Sequence, residues 1–283
     1  MKTPRRLEPL LADGLVDDVV RELRSGKEAS IFVVRCGEDM RCAKVYKEAD
    51  RRGFRSRAEY REGHRVRNSR RARAMAKGTR YGREAEEAVW QSAEVDALFR
   101  LADAGVRVPR PHNFIDGVLL MELVTDADGA VAPRLGDLVL SAEQARRWHR
   151  QLVDEVVRML CAGLIHGDLS EYNVLVDAQG PVIIDLPQAV NAAGNNNAQR
   201  MLIRDVDNLT SYFARYAPEL AGSEYGRNIW ALYEGGALEP GMPVTGRYER
   251  DETPADVCAV LREIDAARDE AILRRARLEP ESE

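Results

Sequence analysis

The chain has 283 residues, 45% of them hydrophobic, enough to bury one large core or two smaller ones. No apolar run is long enough to span a bilayer, and Met1 to Gly14 lacks the apolar segment and cleavage site of a secretory leader, so a cytoplasmic protein with four reduced, scattered cysteines is expected. The net charge of −5 is uneven: residues 47–83 hold 14 Lys/Arg against four acids, a local +10 that leaves −15 on the rest.

In chain order, residues 15–46 predict two or three strands. Val19, Val20 and Leu23 lead into a Ser-Gly turn, the β-branched run Ile31 to Val34 follows, and Cys42 to Tyr46 lies beyond the polar turn Gly37-Glu38-Asp39. The arginine-dense stretch 47–83 reads as a flexible insertion. A helix is predicted over about 84–104 from the spacing of Val89, Trp90, Val95, Leu98, Phe99 and Leu101, with Gly105 as its stop. Phe114-Ile115 and Val118 to Val124 make a hairpin around Asp116-Gly117. Past Asp126 the pattern turns helical. Ser141 with Gln144 has the spacing of a capping box, and its helix should run to about Ala162. Short strands at Val174–Val176 and Val182–Ile184 flank a turn, and helices are expected near Gln199–Tyr216, Tyr225–Tyr233 and Thr253–Leu278. Strands first and helices after predict an α+β chain of two lobes with a cleft between them.

Four signals that carry chemistry sit in a fixed order. Ser25-Gly26-Lys27-Glu28-Ala29-Ser30 is a glycine turn between strands, where main-chain N–H groups can approach phosphate oxygens; taken alone, an exposed hairpin turn is the simpler account. Lys44 lies within a strand, where a charge needs a partner, and Glu94 in the next helix is the natural one, with Glu87 as the poorer candidate. His166-Gly167-Asp168-Leu169-Ser170-Glu171-Tyr172-Asn173 sets an aspartate five residues before an asparagine, the spacing that lets one orient an attacking hydroxyl while the other reaches a metal ion. His166 is read as a brace for this loop. Asp185 ends the apolar strand Ile183-Ile184, where a carboxylate suits a second metal contact, and Leu-Pro follows it.

Taken together, SGKEAS, AKVYK, HGDLSEYN and IIDLPQAV resemble the RIO family of atypical serine/threonine protein kinases, over roughly Leu15 to Leu238. The resemblance implies a two-lobed protein-kinase-like fold, with a small β-rich lobe over 15–124 and a helical lobe over 125–239. Residues 1–14 would be an extension and 240–283 a linker and final helix. It implies ATP phosphate contacts from Ser25, Lys27, Ser30 and Lys44, with Glu94 holding Lys44. Met121 to Val124 would line the adenine, Glu122 and Val124 among them. Asp168 would be the catalytic aspartate beside Lys44 and Asp185, and Asn173 and Asp185 would hold Mg²⁺, or Mn²⁺ in its place.

Family members autophosphorylate on serine, act as ATPases through an aspartyl phosphate at the position of Asp185, and associate with ribosome assembly. The implied partners are therefore ATP, a protein substrate or the chain itself, and RNA or a ribosomal particle at the basic segment 47–83. Subfamily features are mixed: LSEYN and KVYK resemble the first subfamily, His-Gly-Asp and Leu-Pro-Gln the second. Two alternatives stand beside this reading. One is an aminoglycoside-type small-molecule phosphotransferase, which shares the His-Gly-Asp loop. The other is a weakly catalytic RNA-associated scaffold.

Overall fold

Five antiparallel strands form the first half of the structure, a computed structural model that describes residues 3–47 and 93–248. β1 (Asp18–Ser25), β2 (Ala29–Cys36), β3 (Asp39–Tyr46), β4 (Pro111–Ile115) and β5 (Val118–Glu122) lie in the order β1-β2-β3-β5-β4. β1 is a solvent-exposed edge strand whose register breaks twice, which blunts it as a template for pairing. The hairpin between β4 and β5 turns at Asp116 and Gly117, both with positive φ, as the Asp-Gly signal predicts. β5 ends two residues earlier than the sequence pattern indicated, at Glu122.

Alternation assigns the two faces of this sheet. Phe32, Val34, Ala43, Val45, Val118 and Leu120 point one way and are covered by Leu7, Leu10 and Val16. Leu7 and Leu10 come from a short N-terminal 3-10 turn and α1 (Glu8–Ala12). The stretch read from sequence as an extension is thus the lid of the sheet's outer face. The side chain of Arg6 passes over Gly117, whose φ of +75° is the left-handed conformation that favours glycine. The opposite face carries Lys44, Tyr46 and Leu119 toward α2, the helix over residues 93–103. The predicted start of that helix, the basic segment beyond Lys47 and the helix Thr253–Leu278 lie outside the described residues.

The second half is mostly helical. α3 (Ala142–Cys161) begins with the predicted capping box: the Ser141 hydroxyl accepts the Gln144 N–H, and the Gln144 side chain accepts the Ser141 N–H. After it come β6 (Leu164–Ile165), β7 (Val174–Asp177), β8 (Gly180–Ile183) and β9 (Val190–Asn191), paired β6 with β9 and β7 with β8. α4 (Ala198–Ala214) and α5 (Tyr225–Glu234) pack behind them. A polar pin joins α3 to α4 inside this core: His149 Nε2 lies 3.0 Å from Thr210 Oγ1. Burial, with Arg150 adding to it, pushes His149 down to about 4, so the imidazole is neutral. Among the described residues, no helix is long and apolar enough to cross a membrane.

Because Leu10 is 1% exposed and is part of the cover over the outer face, Leu10→Ala should cost about 2–5 kcal/mol of stability. Urea denaturation of the two proteins checks this; an unchanged midpoint would mean that the N-terminal segment does not hold the sheet.

Candidate active site

Between the sheet and the helical half, one lysine gathers two carboxylates from distant parts of the chain. Lys44 on β3 donates to Glu94 Oε1 on α2 and, at 3.0 Å, to Asp185 Oδ1 just past β8. Tyr46, two residues on and on the same face, donates its hydroxyl to the other Glu94 oxygen at 2.7 Å. The Lys44 ammonium also stands 5.6 Å from the Tyr46 ring centroid, within reach of the ring's negative face. Burial alone would lower Lys44, but the Glu94 and Asp185 carboxylates outweigh it and hold the ammonium above its ordinary range. Burial and the Glu94 charge likewise raise the Tyr46 hydroxyl, which stays a donor. Glu94 therefore keeps both oxygens occupied, as a buried carboxylate must.

Asp185 differs from Glu94. Its side chain is 50% exposed, and its φ of 67° puts a non-glycine residue in the left-handed region, at a cost of roughly 1–2 kcal/mol. Its Oδ1 is the oxygen bound to Lys44. The loop 166–173 is tied to the residue before it. His166 Nε2 donates to the Ile184 carbonyl at 3.1 Å, and the Ile184 N–H donates to the Asn173 carbonyl at 2.9 Å. His166 Nδ1 accepts the Asp168 N–H at 3.3 Å. Burial lowers the His166 pKa, so this neutral ring braces the loop. Asn173 donates its side-chain N–H to the Asp168 carbonyl at 2.8 Å, which leaves its Oδ1 for another partner. The Asp168 side chain is exposed and no carboxylate bond holds it among the described residues.

The loop rests on α4. Buried Asp205 accepts the N–H groups of Gly167 (2.7 Å) and Leu169 (3.2 Å). Arg204 donates to the Gly167 carbonyl, and Asn208 to the Leu169 carbonyl at 3.3 Å. Four main-chain groups of an irregular loop are thereby satisfied by one helix. A Cβ on Gly167, where φ is +80°, would lie 2.5 Å from the Gln188 carbonyl oxygen. That close approach explains why glycine stands between His166 and Asp168.

The remaining predicted residues are placed less centrally. Lys27 stands exposed at the tip of the turn between β1 and β2. Ser25 and Ser30 face each other across that strand pair, with their hydroxyls 3.0 Å apart. Ser30 is paired with Val45, so both hydroxyls lie on the outer side of the sheet, opposite Lys44. The structure therefore does not bring them to the lysine. At the junction of the two halves the Glu122 carboxylate accepts the Arg110 N–H at 3.0 Å, and the Glu122 N–H donates to the Arg110 carbonyl at 2.8 Å. Val124 packs with Ala132 and Val182; its carbonyl accepts the Ala132 N–H at 3.0 Å, while its own N–H makes no main-chain bond among the described residues.

A sheet half and a helical half joined at a strand lysine, with two acids and an Asp/Asn loop at the junction, define a protein-kinase-like fold. A family model described as the RIO domain matches residues 30–225, and the chain belongs to that family. It is 35% identical to the RIO-type serine/threonine-protein kinase Rio1 of Haloferax volcanii, over 75% of this chain and 69% of that protein. Against its namesake in Methanocaldococcus jannaschii the figures are 31%, 76% and 69%. Human serine/threonine-protein kinase RIO1 is 29% identical, over 76% of this chain but only 37% of its own length. Among solved structures, the Rio2 kinase of Chaetomium thermophilum, in a complex with ADP/Mg²⁺ and phosphoaspartate, aligns with a TM-score of 0.55 at 24% identity. That alignment covers 82% of this chain and 70% of the other.

Burial pushes Asp205 up to about 7, against the two amide bonds that favour its charged form. Its folded pKa lies above the ordinary 3.8, so its favourable share of stability is complete below that value and is lost as pH rises toward 7. Asp205→Asn cannot titrate. Its unfolding free energy relative to wild type should therefore rise between pH 4 and about 7, measured by urea denaturation in a pH series. A difference independent of pH would show that Asp205 is ionised throughout.

Proposed function

We propose that the chain is a RIO-type, ATP-dependent serine/threonine protein kinase that transfers the γ-phosphoryl group of ATP in the presence of Mg²⁺. One observation carries the reading: Lys44 is fixed between Glu94 and Asp185, three residues from separate stretches of chain meeting at one ammonium. A lysine so held is a fixed positive charge for the phosphates of a nucleotide. Lys27 and the turn around it would cover those phosphates from above, and the Val124 N–H would donate to the adenine edge. Glu122 would contribute through its carbonyl, because its carboxylate already serves Arg110.

The side-chain oxygen of Asn173 and the half-exposed carboxylate of Asp185 fit a hard cation that takes oxygen ligands and shares phosphate oxygens. Mg²⁺ is the first choice and Mn²⁺ the second. When bound, the ion offsets phosphate charge; Asn173 and Asp185 would fix where it sits. Asp168 would accept the proton of the attacking hydroxyl, from a protein substrate or from a serine of this chain. His166 and Asp205 hold the main chain that carries that carboxylate.

Asp185 supports a second reading as an ATPase. Its half-exposed carboxylate would attack the γ-phosphorus, ADP leaving and water then hydrolysing the acyl phosphate. The basic stretch 47–83 would recruit RNA or another acidic partner in a cytoplasmic setting. Salt-dependent filter binding, with and without residues 55–73, tests that recruitment, and equal affinity of the two proteins would refute it.

Incubation with γ-labelled ATP and Mg²⁺ separates the two chemistries. Kinase action gives label on serine or threonine that survives hydroxylamine, whereas an aspartyl phosphate is cleaved by it. Asp168→Asn should leave Mg²⁺·ATP affinity near wild type and lower transfer by about 10²–10⁴-fold. Asp185→Asn should weaken Mg²⁺·ATP binding itself. Identical nucleotide affinity in wild type and Asp185→Asn would contradict the metal assignment, and unimpaired transfer by Asp168→Asn would contradict the base.

A further inference from the structure

Lys47 immediately follows β3, three residues beyond Lys44, and has no role in the reading above. Its main chain and its side chain converge on the turn between β1 and β2. The Lys47 N–H donates to the Glu28 carbonyl at 2.8 Å. Its ammonium donates to the Gly26 carbonyl at 2.7 Å and to Ser25 Oγ at 3.0 Å, and Ser25 Oγ lies 3.0 Å from Ser30 Oγ. Within the turn, the Gly26 N–H closes onto the Ala29 carbonyl at 2.9 Å. One lysine therefore grips both arms of a turn whose tip residue, Lys27, is exposed and whose Gly26 leaves the main chain soft.

Alternation settles which side this grip comes from. Lys44 and Tyr46 point toward Glu94, whereas Val45 and the Ser25–Ser30 pair share the outer side of the sheet. Lys47 reaches Ser25 from that same outer side. The ammonium and two hydroxyls are thus behind the turn and not in the nucleotide cleft.

We propose that Lys47, with Ser25 and Ser30, is a latch that sets the curl of the phosphate turn from behind, so that Lys47 is a positioning residue for nucleotide phosphates. The proposal rests on the kinase reading above. A glycine turn with no latch would sample many conformations, and closing it over phosphates would have to overcome that freedom at each binding event. A latched turn is already closed. The effect is confined to the phosphates, because the adenine meets the chain at Val124, on a different strand connection. Ser25 and Ser30 then serve the phosphates by shaping the turn that meets them.

Calorimetric titration of the full chain with Mg²⁺·ADP and, separately, with adenosine tests this. Lys47→Gln should weaken Mg²⁺·ADP by about tenfold, the loss of a charge-assisted hydrogen bond, and leave adenosine within about twofold of wild type. Lys47→Arg, which keeps charge and donors, should restore most of the affinity. The double variant Ser25→Ala/Lys47→Gln should bind Mg²⁺·ADP no more weakly than Lys47→Gln alone, because both changes open one latch. Equal Mg²⁺·ADP affinity in Lys47→Gln and wild type would overturn the proposal. So would a parallel loss of adenosine affinity, the mark of general damage, or additive losses in the double variant. Wild-type protein that binds neither ligand would remove the kinase reading itself, and the latch with it.

Discussion

A charged lysine in the middle of a strand is the constraint around which this molecule is arranged. Lys44 is nearly buried, and an ammonium there is tolerable only beside opposite charge. Glu94 supplies that charge from α2 and Asp185 from beyond β8. Each partner is itself supported: Glu94 by the Tyr46 hydroxyl, Asp185 by the loop anchored at Ile184. The sheet, α2 and the helical half are therefore fastened at one point by electrostatics, although hydrophobic packing supplies most of the energy that holds each half. Nucleotide phosphates arriving at Lys44 would compete with Asp185 for the same ammonium, while Glu94, with both oxygens occupied, would hold its position.

The second organising feature is how an irregular loop is kept rigid. Residues 166–173 contain little regular structure, so their main-chain groups need partners from elsewhere. α4 provides them through Arg204, Asp205 and Asn208, and His166 closes the other side against Ile184. Of the side chains that would do chemistry, Asp168 is exposed, and Asn173 is half-buried with its amide turned back to the Asp168 carbonyl. This division between residues that hold and residues that act explains why Gly167 stands between His166 and Asp168: the loop passes too close to Gln188 for any Cβ.

Much of this was legible in the sequence, for physical reasons. The capping box at Ser141, the Asp116-Gly117 hairpin and the strand runs rest on local rules, and the structure reproduces them. Choosing Glu94 over Glu87 followed from its place among apolar helix residues, and Lys44 stood out as a charge in a strand. Long-range effects were hidden. Leu7 and Leu10 sit in a short segment with no clear periodicity, and only the finished sheet shows that they cover its outer face. Asp205 looks like any acid on a helix until the loop is folded against it. The family pattern pointed to the hydroxyls of Ser25 and Ser30, but a two-residue repeat decides the side of a strand, and it turns both away from Lys44. Glu122 was singled out in the predicted hinge, yet its carboxylate caps Arg110.

A double-mutant cycle on Lys44 and Glu94 tests the central claim most directly. Lys44→Met, Glu94→Gln and the double variant would be compared with wild type for Mg²⁺-dependent ATP turnover and for urea stability. If the buried pair organises the site, each single change should cost about as much turnover as the double. The coupling should then reach roughly 1–3 kcal/mol, and in stability each single variant, which leaves a buried charge short of one partner, should be worse than the pair removed together. Additive losses in both quantities would contradict the account, since they would mean that the lysine and the glutamate act independently.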